Sequence, residues 1–200
     1  MKKIIHTPLC DKDISGLRTG DTVYLCGTIV TGRDEVYRRA VQEGTDLPVD
    51  LTGGVIFHAG PIVRGQRELV SIGPTSSVRM EKWAADFIKK TGVKMMIGKG
   101  GMGEQTARGC REYNAVHCVY PGGCAVLGAG QIEKIENVFW PELGMGECLW
   151  VMKACEFGPL IVSIDTQGNN LFAENAAHYA SRREVCMAPI IESLNAYGKT

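Results

Sequence analysis

The chain has 200 residues, 44% of them hydrophobic and 22% charged, a soluble globular composition with enough material for a sizeable core. Twenty-two basic residues balance twenty-two acidic ones, which removes the electrostatic footprint of a general nucleic-acid binder. No stretch approaches the ~20 apolar residues that span a bilayer, and a net charge of zero fits a surface that a partner normally covers.

In chain order, MKKIIHTPLCDKD opens like an export signal, but His6, Pro8 and Asp11 break its apolar run too soon for a hydrophobic signal core. The expected location is the cytoplasm. TVYLCGTIV (22–30) reads as a strand, rich in β-branched and apolar residues. TGRDEVYRRAVQEG turns at Gly32 and then follows a helical pattern to Gly44. GGVIFHAGP (53–61) is a strand running into a Gly-Pro loop, and ELVSIGP (68–74) is another. With few helices between them, these early strands predict a mixed or antiparallel region.

From Arg79 the rhythm changes. RMEKWAADFIKKTG gathers Met80, Trp83, Ala84, Phe87 and Ile88 on one helical face before Gly92. VKMMIG predicts a buried strand, GEQTARGCREYN a helix, AVHCVYPGG a strand, CAVLGAGQI a small-residue helix and IEKIENVFW a strand. GECLWVMKACEF reads as helical, PLIVSIDTQG (159–168) as a strand, and the tail from Ala173 as largely helix. Alternating strands and helices predict a parallel α/β sheet. No repeat, low-complexity segment or linker interrupts the chain, so residues 1–200 are expected to form one domain.

The eight cysteines, at 10, 26, 110, 118, 124, 148, 155 and 186, form no CxxC pair. They read as reduced thiols. The spacings among Cys110, Cys118 and Cys124 match no standard metal site.

Glycine-rich loops follow nearly every strand, and in parallel α/β folds ligands bind where such loops lie. Arg33 in TGRD, Thr75 and Arg79 in GPTSSVRM, and Lys99 in IGKGGMG stand at separate strand ends. Guanidinium forks and an ammonium converging from distant loops would suit a small polyanion. Each has a plainer reading. Arg33 could pair with Asp34 at a helix start, and Thr75 could be a helix cap. Arg79 could be a solvated first-turn residue, although a cation there opposes the helix dipole. Lys99 lacks the GxxxxGK[ST] order of a phosphate loop, and His58 could be a structural histidine.

TGRD, HAGP, GPTSSVRM, TGVKMMIGKGGMG, PGGCAVL, LGM and PLIVSIDTQGNNL, in this order, resemble the class I fumarase C-terminal domain family. Within it the chain is most similar to the β subunits of two-chain, tartrate-type hydro-lyases. The resemblance implies a swivelling β/β/α-type domain with a mainly parallel sheet and a smaller mixed sheet. It implies a hydro-lyase converting L(+)-tartrate to oxaloacetate, or, as the alternative, a fumarate hydratase β subunit acting on malate and fumarate. The partner would be an α subunit carrying a [4Fe–4S] cluster, in an assembly of two α and two β chains, with no metal bound by this chain.

Carried over by position, Thr75 would be the proton-transfer residue. Arg33, Arg79 and Lys99 would bind the substrate carboxylates. Ser76 would contact substrate or cap the helix with Ser77, and His58 would read tartrate's extra hydroxyl. Because Thr75 and Arg79 are four apart, they are expected on one helical face, where the cation lowers the hydroxyl pKa. The rival from another class is a non-catalytic anion-binding module.

Overall fold

A computed structural model describes residues 3–65 and 68–197. In chain order the elements are β1 (Lys3–His6), α1 (Asp11–Ile14), β2 (Thr22–Thr31), α2 (Asp34–Tyr37), β3 (Val55–Phe57), β4 (Ile62–Arg64), β5 (Glu68–Ser71), α3 (Glu81–Thr91), β6 (Met95–Gly98), α4 (Glu104–Tyr113), β7 (Val116–Val119), α5 (Ala125–Gly130), β8 (Ile132–Phe139), β9 (Leu149–Ile164) and α6 (Leu171–Tyr197). Seven strands form the main sheet in the order β1-β2-β3-β6-β7-β9-β8. Strands β1, β2, β3, β6 and β7 run parallel to their neighbours. β9 lies antiparallel to β7 and β8, and also to β2. The β2–β9 pairing closes β2, β3, β6, β7 and β9 into a ring, with β1 and β8 as the edge strands beside it. The α/β class, the mainly parallel sheet and a separate smaller sheet agree with the expectation; the small sheet is the antiparallel pair β4 and β5.

Side-chain alternation along the strands builds two apolar layers. Val55, Phe57, Met95, Ile97, Val116 and Cys118 face one buried cluster with Leu25, Phe157 and Leu160. Ile56, Met96 and Val151 face the other, with Tyr37 from α2, Phe87 and Ile88 from α3, and Cys110 from α4. Tyr37 stacks on Phe87 with ring centroids 4.0 Å apart.

One expectation is corrected. GECLWVMKACEF is not helical: from Leu149 it is the first half of the 16-residue β9. This strand is paired on both edges, and Leu149 and Val151 face one cluster while Trp150 and Met152 face the other. A strand buried on both faces shows no alternation, so its apolar run imitates a buried helix. Strand β1, hidden in the signal-like opening, pairs with β2 from Lys3 to His6.

Helix α6 differs from the rest. Its 27 residues include no buried side chain, and it is ~40 Å long at 1.5 Å per residue. Tyr179, Val185, Met187, Ile190, Ile191 and Leu194 are all exposed along it. Asn170 caps its start by accepting from the Phe172 and Ala173 amides.

Candidate active site

The site is built from the loops that follow the parallel strands. After β2 the chain turns at Gly32 into Arg33. After β3 come His58 and Gly60. The segment entering α3 holds Thr75 to Arg79, and β6 ends at Gly98 with Lys99 next. This is the end of a parallel sheet where ligands are held.

Backbone hydrogen bonds join these loops. The Thr75 amide donates to the His58 carbonyl at 2.6 Å, the Lys99 amide donates to the Thr75 carbonyl at 3.0 Å, and the Ser77 amide donates to the Lys99 carbonyl at 3.0 Å. Ser76 and Lys99 form an isolated parallel bridge. Thr75, Ser76 and Lys99 are thus adjacent through their main chains.

Both arginines are already paired with carboxylates. Arg33 Nη2 lies 2.5 Å from Glu147 Oε1, and the other Glu147 oxygen accepts from the Glu35 amide at 3.3 Å. Arg33 also runs beside glycine backbone, since a Cβ on Gly60 would come 2.7 Å from its Nη1. Its Nε is the one buried side-chain polar atom without a partner among the described residues. Arg79 pairs with Asp34, so the carboxylate expected for Arg33 serves Arg79 instead. Planar guanidinium forks held in this way match carboxylate ligands.

The expectation that Thr75 and Arg79 share a helical face is corrected. Residues Ser77–Met80 form a 3₁₀ turn with Ser76 in extended backbone before it, and α3 begins at Glu81. Thr75 precedes the helix, and its main chain is fixed by His58 and Lys99.

His58 is also placed differently from the expectation. It is fully buried: Nε2 lies 2.8 Å from the Tyr37 hydroxyl and Nδ1 2.9 Å from Ser77 Oγ. It faces the helix-side core, out of reach of a ligand in the loops. Burial first, then the neighbouring His117 and Arg79, holds its pKa well below the usual imidazole value.

Ser77 is buried beneath the loops too, against Gly98. A Cβ on Gly98 would come 1.8 Å from Ser77 Oγ, so only glycine leaves room for that hydroxyl. Gly98→Ala is expected to destabilise the chain by about 3 kcal/mol, the upper range for overpacking a filled interior. Thermal melting checks this, and an unchanged midpoint would show that the hydroxyl is not wedged there.

The loop after Lys99 leads to the N-terminus of α4, where helix dipoles attract anions. Glu81 fills that position: it accepts from the amides of Gly103, Gln105 and Thr106 and from the Thr106 hydroxyl. The helix end has an internal carboxylate where a nucleotide phosphate would sit.

No group of three or more His, Cys, Asp or Glu side chains suited to a metal occurs among the described residues. All eight cysteines are free, and burial raises the pKa of Cys110 and Cys118, which opposes the thiolate a metal needs. These residues do not fit an iron–sulfur cluster.

A ring-closed α/β domain carries Arg33, Arg79 and Lys99 in the loops at its strand ends. Residues 2–175 match the Fumarase C-terminus family, and the chain belongs to it. It is 54% identical to the L(+)-tartrate dehydratase subunit beta of Escherichia coli (strain K12) over 197 residues, 97% of this chain and 96% of that one. A putative L(+)-tartrate dehydratase subunit beta of Methanocaldococcus jannaschii is 40% identical over 173 residues, 83% of this chain and 89% of that one. A putative fumarate hydratase class I of Geobacillus stearothermophilus is 36% identical over 171 residues, covering 84% of this chain but 33% of that protein.

Sequence reasoning found Arg33, Thr75, Arg79 and Lys99 as residues of neighbouring loops but missed Glu147. Its one signal was its place after the glycines of LGMGE, where a turn can aim a carboxylate back across the sheet end.

Proposed function

We propose that this chain is the β subunit of an iron–sulfur hydro-lyase that dehydrates L(+)-tartrate to oxaloacetate. It works in the cytoplasm with an α-type subunit that carries the [4Fe–4S] cluster, in an assembly of two α and two β chains. The observation that carries this reading is the meeting of the TGRD, GPTSSVRM and IGK loops at one end of the parallel strands. Near-full-length identity to subunits bearing the tartrate dehydratase name supports it.

In the proposed reaction a proton leaves the carbon next to a carboxylate, and the hydroxyl on the other carbon departs. The enol so formed becomes the ketone of oxaloacetate. As the proton leaves, charge accumulates on the carboxylate, and fixed cations aimed there stabilise it. Arg33, Arg79 and Lys99 take the two carboxylates, with Arg33 exchanging Glu147, and Arg79 exchanging Asp34, for the substrate. Thr75 accepts the proton. A neutral hydroxyl is a poor base in water, and cations nearby make it serviceable; an ion pair at ~4 Å contributes about 4 kcal/mol at a surface-like dielectric. Ser76 binds carboxylate beside Lys99. His58 acts beneath the site, without touching substrate.

Helix α6 supports a site shared with a second chain. Its exposed Tyr179, Val185, Met187, Ile190, Ile191 and Leu194, interspersed with charged residues, offer apolar surface that another chain would cover. The arm is rooted beside the Lys99 loop: Phe172 packs against Gly101, and the Asn170 side chain donates to the Met102 carbonyl at 2.9 Å. The family match ends at residue 175, so the arm lies almost wholly outside the matched family unit.

The test is turnover by this chain co-purified with its α-type partner. L-tartrate is expected to exceed D-tartrate and malate in kcat/KM by about 100-fold, because a site that hydrogen-bonds a hydroxyl rejects analogues lacking or misplacing it. A preference for malate or fumarate would replace the tartrate reading with the fumarase one. Tight dicarboxylate binding by a complex without turnover would favour the anion-binding module.

A further inference from the structure

Beneath the Thr75–Lys99 loops runs a buried line of five polar side chains. The Tyr37 hydroxyl meets His58 Nε2 at 2.8 Å, and His58 Nδ1 meets Ser77 Oγ at 2.9 Å. Ser77 Oγ also meets His117 Nε2 at 3.0 Å, and His117 Nδ1 meets Ser163 Oγ at 2.6 Å. Ser163 Oγ lies 3.1 Å from the His117 carbonyl. All five are among the buried residues, and they come from the ends of β3, β7 and β9, from α2, and from the turn before α3.

The partners fix the direction of every hydrogen bond, because a hydroxyl has one hydrogen and a neutral imidazole one donor and one acceptor. At one end, the Tyr37 hydroxyl has His58 Nε2 as its partner among the described residues. Buried, it must donate there, so His58 carries its proton on Nδ1 and donates to Ser77. Ser77 then gives its own hydrogen to His117 Nε2. At the other end, Ser163 donates to the His117 carbonyl and so accepts from His117 Nδ1. Both ends force one order, Tyr37 to His58 to Ser77 to His117 to Ser163, with both rings neutral and in the Nδ1–H form. The line ends on a backbone carbonyl and leaves no proton to pass on, which makes it a brace rather than a proton path.

The brace is bolted to the site. The His58 carbonyl receives the Thr75 amide, and the Ser77 amide donates to the Lys99 carbonyl. The two residues that meet at the centre of the line therefore hold the main chain on both sides of Thr75 and Lys99. We propose that Ser77 and His58 are positioning residues which, through this one-way hydrogen-bond line, set where the Thr75 hydroxyl and the Lys99 ammonium stand. This rests on the function assigned to Thr75 above.

Two measurements test it. In the full chain at neutral pH, nitrogen NMR is expected to show His58 and His117 both protonated on Nδ1; an Nε2–H form of either ring overturns the line without touching the proposed reaction. In the assembled complex, Ser77→Ala is expected to lower kcat by about 100-fold, as a small misplacement of a reacting group can, while KM changes less than about 3-fold. Tyr37→Phe removes only the outer link and leaves the order imposed from Ser163. It is expected to lower the melting point yet keep kcat within about 3-fold, a split that plain loss of stability does not produce. Full turnover in Ser77→Ala, or kcat losses in both variants that track their melting points, overturns the positioning role. Thr75→Ala run alongside separates the failures. If it is inactive while Ser77→Ala is fully active, only the positioning is wrong; if it is fully active, the reading of Thr75 falls and the positioning with it.

Discussion

Replacing Thr75 with alanine in the assembled complex is expected to lower kcat by about 10²–10⁴-fold, the contribution of a positioned proton-transfer group. The substitution is mild for the fold. Thr75 is half-buried, and the hydrogen bonds that place it use its amide and carbonyl, which alanine retains. Carboxylate binding rests on Arg33, Arg79 and Lys99, so KM should stay within a few-fold, the pattern of an interaction made in the transition state alone. Steady-state kinetics with L-tartrate, beside a melting curve, decides it. A variant with nearly normal kcat would remove Thr75 from the reaction.

The second large effect concerns the arm. A chain ending at Asn170 is expected to melt within about 4 °C of the full chain, because a change near 1 kcal/mol moves a domain of this size by that much. Helix α6 buries no side chain of its own, although Phe172 at its start lies against Gly101. The same truncation is expected to weaken binding to the α-type partner by about 100-fold or more, the loss of two or so buried apolar or aromatic anchors. Calorimetry or co-purification reads this. Unchanged pairing would show that the arm is covered by something else, and a chain that unfolds on truncation would show that the arm is part of the core.

Much of the fold was legible because its signals are local. The face of Trp83, Ala84, Phe87 and Ile88 announces α3, and the short apolar runs at 95–98 and 116–119 announce buried strands. β9 was not legible as one element. Its burial on both faces and pairing on both edges are tertiary facts, and they erase the alternation that identifies a strand. The site divides in the same way. Glycine turns after strands marked Arg33, Thr75 and Lys99. Which carboxylate meets which arginine depends on Glu147 returning from more than a hundred positions away and on Arg79 reaching Asp34. The inward turn of Ser77 depends on the missing Cβ of Gly98, and His58 in HAGP looks the same in sequence whether it faces a ligand or the core.

In the proposed reaction the carboxylates now on Arg33 and Arg79 occupy the places a dicarboxylate substrate takes. A crystal structure of the two-subunit complex with L-tartrate or an unreactive dicarboxylate bound tests it most directly. Arg33 is expected to be freed from Glu147 and Arg79 from Asp34, each gripping a ligand carboxylate, with Lys99 and the Thr75 hydroxyl alongside. A ligand seated elsewhere while both internal ion pairs stay intact would contradict it.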